Sequence, residues 1–356
     1  MELCDLTLRE ASQRPGREYA VDQRVEVGHA LDGLGVPLVG VSAPDTDSAE
    51  GGAIERLASE LTADVVVSCR PTVDHVEAAL EAGADTIEVS VPVSKGRLDA
   101  GLGCSRNEAF DRAADALLRA REGGVDVSLA LVDAFRAEVP AVAGAFGRFD
   151  CPIVLVDSVG ARTPPFVAGF LRTLADASAD LSGAGVRFRD DLGCATANAL
   201  VATQVGVGRV DAAVAGLGRR AGLAATEEVI VATEAGESAA DVDTERVVPA
   251  CQDVLVALEE SVDERKAVLG EAATRRAVDE AYALEAPEAF EPFDPESFGG
   301  RRKLTFGAKT ERNAVETLLE RADTAVTEER TRALLERLAE EGPVDLETAL
   351  GLAAEE

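Results

Sequence analysis

Histidine is almost absent from this chain: among 356 residues there are only His29 and His75. No site can therefore collect three histidine ligands, which excludes all-imidazole metal centres. Lysine is nearly as scarce, with Lys95, Lys266, Lys303 and Lys309 against 31 arginines. Basic charge as a whole is outnumbered, 35 Lys and Arg facing 66 Asp and Glu for a formal net charge of -31. So negative a surface repels phosphate and weighs against both nucleic-acid binding and attraction to anionic membranes. No apolar run approaches the ~18 residues of a membrane span. The opening MELCDLTLRE has neither a basic nor an apolar leader segment, so a cytosolic protein is expected. Six dispersed cysteines form no CxxC pair and read as small apolar residues rather than a disulfide framework.

What is present is an ordinary globular proportion of apolar residues, 46%, so the acidity does not imply disorder. Acid excess, scarce lysine and 4% aromatics resemble the composition of proteins from salt-in extreme halophiles. An acidic interaction protein is the competing explanation. Crowded carboxylates repel one another in dilute buffer and are screened as the Debye length falls to about 3 Å near 1 M salt. The fold is therefore expected to loosen at low salt.

A strand-then-helix rhythm fills the first two-thirds of the chain. Strand-like runs occur at 3–8, 37–41, 64–69, 86–93, 125–132, 152–156, 185–188 and 209–214, and helical patterns at 21–34, 53–61, 73–82, 106–122, 165–174 and 195–205. Glycine announces several strands, as in Leu34-Gly35-Val36, Ala82-Gly83-Ala84, Gly123-Gly124-Val125 and Val207-Gly208-Arg209, where it would close the preceding helix in the left-handed conformation. Continuous apolar strands such as Ile153-Val154-Leu155-Val156 suit parallel strands covered on both faces. Eight such units predict a (β/α)8 barrel over 1–238; a doubly wound sheet is the rival. Helical patterns then take over, giving a helical subdomain at 239–285, an extended connector at 286–310 and a second helical subdomain at 311–356. Gly342-Pro343 is read as a helix stop.

In such barrels reactive groups project from the C-terminal ends of strands. Those ends here read Asp5 through Gln13, Asp133 with Arg136, Asp157-Ser158, Arg187-Phe188-Arg189-Asp190-Asp191 and Gly216 through Gly222. The segments DLTLREASQRPG, VDSVGARTP, DDLGCATANAL, AGLGRRAGLAATEEV and FEPFDPESFGGRRKLTFGAKTERNAV resemble, in order, the signature blocks of the 2-isopropylmalate, homocitrate and citramalate synthase family. The resemblance covers roughly residues 3–320. It implies a metal-dependent barrel with small helical subdomains. There, Mg2+, Mn2+ or Zn2+ chelates a 2-oxo acid, an acyl-CoA carbanion attacks its carbonyl, and an arginine stabilises the developing oxyanion.

Carried over residue by residue, Asp5 matches the metal aspartate, Arg9 the catalytic arginine and Glu10 its acidic neighbour. Gln13 matches a substrate-side amide, and Ser158 stands where the family has threonine. The family's H-x-H on strand seven is Arg187-x-Arg189, Ala215 replaces its asparagine, Gly40 replaces a strand-two glutamate and Val132 a pocket glutamate. GEAATRRAVDEA replaces the histidine-bearing segment of the helical subdomain. His29 and His75 fall in expected helices, away from the strand tips. Arginine has no lone pair to give a cation, so Asp5 would be the one surviving ligand and no cofactor is expected. Arg9 and Glu10 stay as catalytic candidates; Gln13, Arg136, Ser158, Arg187 and Arg189 as substrate contacts.

The two strand-seven arginines admit two readings. They fill the metal position as structural ion pairs, or with Arg9 they form a bidentate site for a carboxylate or phosphate. Three functions follow: a divergent, metal-independent or carboxylate-binding relative; a non-catalytic partner of an active homologue; or an active acyl-CoA-dependent synthase despite the substitutions. A small carboxylate or 2-oxo acid, and under the third reading acyl-CoA, would be the ligand. The resemblance also implies a homodimer or a hetero-oligomer with a homologue.

Overall fold

The computed structural model describes residues 1–44, 49–236 and 238–356. The chain forms two compact units, Met1–Ser261 and Val262–Glu356. In the first, eight parallel strands close into a barrel: β1 Glu2–Asp5, β2 Leu38–Ser42, β3 Asp64–Cys69, β4 Thr86–Pro92, β5 Asp126–Val132, β6 Ile153–Asp157, β7 Ala184–Phe188 and β8 Arg209–Ala212. β1 pairs with both β2 and β8, Glu2 lying opposite Arg209 and Cys4 opposite Asp211. The expected (β/α)8 architecture is the one present.

Six helices fall where their apolar spacing places them, three of them, Val21–Leu34, Arg106–Glu122 and Ala195–Val205, with the expected ends. Two more, Val139–Arg148 and Thr226–Ala235, complete the eight. The first is disguised by Pro140, Gly144 and Gly147, although a proline within the first helical turn costs no hydrogen bond. The second, TEEVIVATEA, buries Thr226, Glu227, Val229, Ile230, Val231 and Thr233, so no helical stripe separates it from a strand. Gly35, Gly83 and Gly124 are left-handed as the pattern expects; before β8 that role belongs to Gly206, not Gly208.

Strand one is shorter than its pattern. It stops at Asp5 because the Asp5 carboxylate accepts the Thr7 amide at 2.8 Å, an Asx-type turn that competes with strand pairing. Thr7–Ala11 is instead a short helix across the barrel mouth, and this turn carries Arg9 and Glu10.

Residues 239–261 belong with the barrel unit rather than with a separate helical subdomain. Helix Val247–Ala257 packs along Val21–Leu34, burying Val247, Cys251 and Val254 completely, and Gln23 donates to the Ala257 carbonyl at 2.9 Å. Arg14 and Arg17 pair with Glu260 at 2.5 and 3.1 Å, pinning the loop that follows the mouth helix.

The second unit departs most from the helical expectation. The pattern at 264–284 is turns, a strand β9 Arg275–Ala277 and a short helix Tyr282–Glu285. β9 pairs in parallel with β10 Lys303–Phe306, inside the expected connector, and β10 pairs antiparallel with β11 Val344–Asp345. Helices Arg312–Arg321 and Glu328–Glu341 match the expectation, and Leu346–Glu355 is additional. Phe306, Val315, Leu318, Leu334 and Leu338 centre this unit's core. Among the described residues no helix is long and apolar enough to cross a membrane.

Candidate functional site at the barrel mouth

Side chains two apart on a strand share a face, and in this barrel the inward face of three strands is charged. Arg187 on β7 donates from Nε and Nη2 to Asp211 on β8, at 2.8 and 2.6 Å, and from Nη2 to both Glu88 oxygens on β4, at 2.9 and 2.8 Å. Arg209 adds a 2.8 Å bond from Nε to Asp211. Arg187 is 3% exposed and Glu88 and Asp211 are fully buried. Burial alone would lift the Glu88 carboxyl, but Arg187, Arg209 and Arg9 outweigh it and hold it down to about 2. Two arginines and two carboxylates thus form an ion-paired set inside the barrel, with Arg187 at its centre. Of the two readings of Arg187, the ion-paired arrangement is the one found.

A second tier lies at the rim. Fully buried Glu10 accepts Arg9 Nη1 at 2.6 Å, and its other oxygen lies 2.7 Å from Arg189 Nη2. Arg189 is therefore also ion-paired. Asp5, expected as the metal aspartate, has one oxygen on the Thr7 amide and the other on the Thr226 hydroxyl at 2.6 Å. Burial raises its pKa despite those bonds. Asp5 is a turn-forming group, and of the two acids in this opening segment Glu10 is the one that faces Arg189. Arg136 is folded back on Asp133, with Nε and Nη2 bonds of 2.7 and 2.8 Å, while Ser94 donates to the same carboxylate. Ser158 is nearly buried and its hydroxyl has no protein partner; its carbonyl accepts Arg220, which is bidentate on Asp191.

Over the tips of β1 to β4 opens a cleft of about 420 Å3 lined by Arg9, Gln13, Arg70, His75 and Arg219, with Ser12, Ser42, Ser68 and Ser90 among the other walls. Among the described residues none of its lining side chains is a carboxylate, in a chain of net charge -31. Arg9 Nε is buried without a hydrogen-bond partner. Ser68 joins the cleft to the buried cluster through a 2.9 Å bond to Glu88. Of the expected contacts the cleft gathers Arg9 and Gln13, and it leaves out Arg136, Ser158, Arg187 and Arg189. Sequence reasoning missed Arg70 and His75. Arg70 directly follows the last residue of β3, so the strand-tip rule could have found it. His75 was set aside as helical, yet it lies in the first turn of Val73–Glu81, where the helix starts at the mouth.

Residues 1–254 match the HMGL-like family model. The chain belongs to the HMGL-like family. It is 32% identical over 350 residues to a homocitrate synthase of Methanopyrus kandleri, covering 94% of this chain and 86% of that one. It is 33% identical over 329 residues to a homocitrate synthase of Frankia alni, covering 90% and 93%. Among solved structures, the HMG-CoA lyase of Bacillus subtilis aligns with a TM-score of 0.65 at 19% identity, over 73% of this chain and 94% of that one, a likeness of fold.

The residues at the family's metal positions do not fit a divalent cation. Arginines 187 and 189 are permanently protonated donors already engaged by carboxylates, and residue 215 is an alanine whose amide donates to Glu227. Among the described residues no three His, Cys, Asp or Glu side chains converge as a metal set. The strand-two glutamate position is Gly40, where a Cβ would lie 2.2 Å from Leu6 Cδ2. The Leu6 side chain occupies that volume, so a side chain at position 40 would require Leu6 to change rotamer or shift.

Proposed function

We propose that this chain is a synthase-like member of the HMGL-like family that binds a small carboxylate or 2-oxo acid at the barrel mouth without a divalent cation. The observation that carries this reading is the cleft lined by Arg9, Arg70 and Arg219, with no carboxylate among the described residues of its walls. Guanidinium forks match carboxylate geometry in bidentate pairs. Gln13 and the serines supply the neutral hydrogen bonds that orient such a ligand. Arg9 is held by Glu10 through Nη1, which leaves its buried Nε for the anion. The family reaction, condensation of an acyl-CoA with a 2-oxo acid, needs carbonyl polarisation; here Arg9 is the group placed to supply it electrostatically.

A thermal-shift screen of mono-, di- and tricarboxylates and 2-oxo acids tests the reading. At least one should raise the melting temperature of the wild type, and Arg70→Ala and Arg219→Ala should each weaken its binding about tenfold or more, as for loss of a charge-assisted bond. No hit across the screen overturns the anion site. Stoichiometric Mg2+, Mn2+ or Zn2+ retained through dialysis, with CoA release from acetyl-CoA and a 2-oxo acid, overturns the metal-free part. The reverse experiment rebuilds the ligand set. Arg187→His/Arg189→His/Ala215→Asn should bind Mn2+ or Zn2+ measurably more tightly than the parent in equilibrium dialysis, and equal affinities would argue against arginine as what keeps the cation out.

A further inference from the structure

The barrel has a second opening at its opposite end. A cavity of about 560 Å3 enters between the strand starts and reaches Val154, Gly185, Ser128 and Arg209, with Glu2 and Asp126 also on its walls. Two donors buried in that cavity are unused. Ser128 is 2% exposed and Arg209 8%, yet among the described residues Ser128 Oγ and Arg209 Nη2 have no hydrogen-bond partner. Buried polar groups normally find partners, and an orphaned one is destabilising.

The surroundings say what kind of partner is missing. Arg187 engages both Glu88 and Asp211, so Arg209 shares Asp211 through Nε and approaches Glu88 only to 3.8 Å, beyond hydrogen-bond reach. It is the less compensated of the two buried cations. Gly185 permits this placement: a Cβ there would lie 3.3 Å from Arg209 Cγ. Ser128 stands opposite Glu88 in the β4–β5 register, at the level of the same charged layer. A cation is excluded by the guanidinium. The exposed carboxylates Glu2 and Asp126 repel multiply charged anions, which lose more to that repulsion than a single charge does.

We infer that the N-terminal cavity of the barrel is a binding site for a small monovalent anion of the halide class, held by Arg209 Nη2 and Ser128 Oγ. It is separate from the carboxylate site at the mouth and does not depend on it.

Bromide is the probe. Crystals of the full chain soaked in NaBr should give an anomalous peak within hydrogen-bond reach of both atoms. In solution at constant ionic strength, replacing potassium glutamate by KBr should raise the melting temperature along a saturating curve. Ser128→Ala removes an unsatisfied hydroxyl, so it should fold at least as well without halide and show about fivefold weaker halide affinity or less binding still. Ordered water in place of a bromide peak overturns the site. A peak accompanied by the same halide response in wild type and Ser128→Ala marks an adventitious ion only and overturns it equally.

Discussion

Arg187→Met is expected to destabilise the barrel by about 3–5 kcal/mol, the range for removing one partner of a buried ion pair. The substitution roughly preserves volume, so the loss is electrostatic. Glu88 and Asp211 stay buried, with Arg209 as the remaining cation of the cluster, 3.8 Å from Glu88. Urea unfolding at neutral pH, followed through the barrel transition, reads the loss as a lower midpoint. Pairing it with Glu88→Leu removes a cation and a carboxylate together and should recover much of the stability, because the two effects are coupled rather than additive. A single-variant loss below about 1 kcal/mol, the size of an exposed pair, would sink the account.

Acid supplies an independent check. Glu88 is held down to about 2 from an ordinary 4.5, so its ionised form stabilises the fold fully above about pH 4.5. That contribution disappears as the pH falls toward 2. The cost of Arg187→Met should therefore shrink through this window. Asp5 works the other way: burial raises its pKa, so its protonation in the fold adds stability as the pH falls and makes the overall acid limb shallower.

The fold was legible because each barrel unit repeats the same local chemistry. β-branched runs such as Val65-Val66-Val67, glycine caps such as Gly35 and amphipathic helices such as Arg106–Glu122 agree with one another at every step. Elements failed to appear where local signals conflict with tertiary context. Thr226–Ala235 is buried around its circumference, and β9 and β11, of three and two residues, draw their pairing from β10 rather than from any periodicity. Residue identity at the family's metal positions was readable too, since Arg187 and Arg189 are simply not ligands. Their partners were not. Glu88 lies 99 residues before Arg187 on a strand where polar Thr86, Glu88 and Ser90 alternate with apolar residues, and only closure of the barrel brings β4 across to β7. The turn that stops β1 engages Asp5 and carries Glu10 to Arg9 and Arg189, and the second of those partners comes from a distant strand end.

Transfer from 2 M KCl to dilute buffer is expected to lower the melting temperature by about 10 °C or more, equivalent to several kcal/mol at about 2–4 °C per kcal/mol for a chain of this order of size. Two salt effects oppose each other here. Screening weakens attractive surface pairs such as Arg312–Glu328 and Arg56–Asp22, which contribute little in open solvent. It also relieves repulsion among the carboxylates. If all 35 basic side chains took one acid each, 31 of the 66 would still lack a partner. The second effect therefore dominates, because folding crowds those charges into a smaller volume, and the Debye length shrinks from about 30 Å at 0.01 M to about 3 Å at 1 M. Potassium glutamate should give most of the protection that KCl does, since screening is indifferent to the anion, and KCl adds only the saturable increment of the halide site. A melting temperature independent of salt would sink the idea. The buried cluster gives the internal control: Arg187 and Glu88 are buried, so in potassium glutamate, which supplies no halide to the Arg209 cavity, the penalty of Arg187→Met should be about the same at low and high salt while the melting temperature of the parent moves.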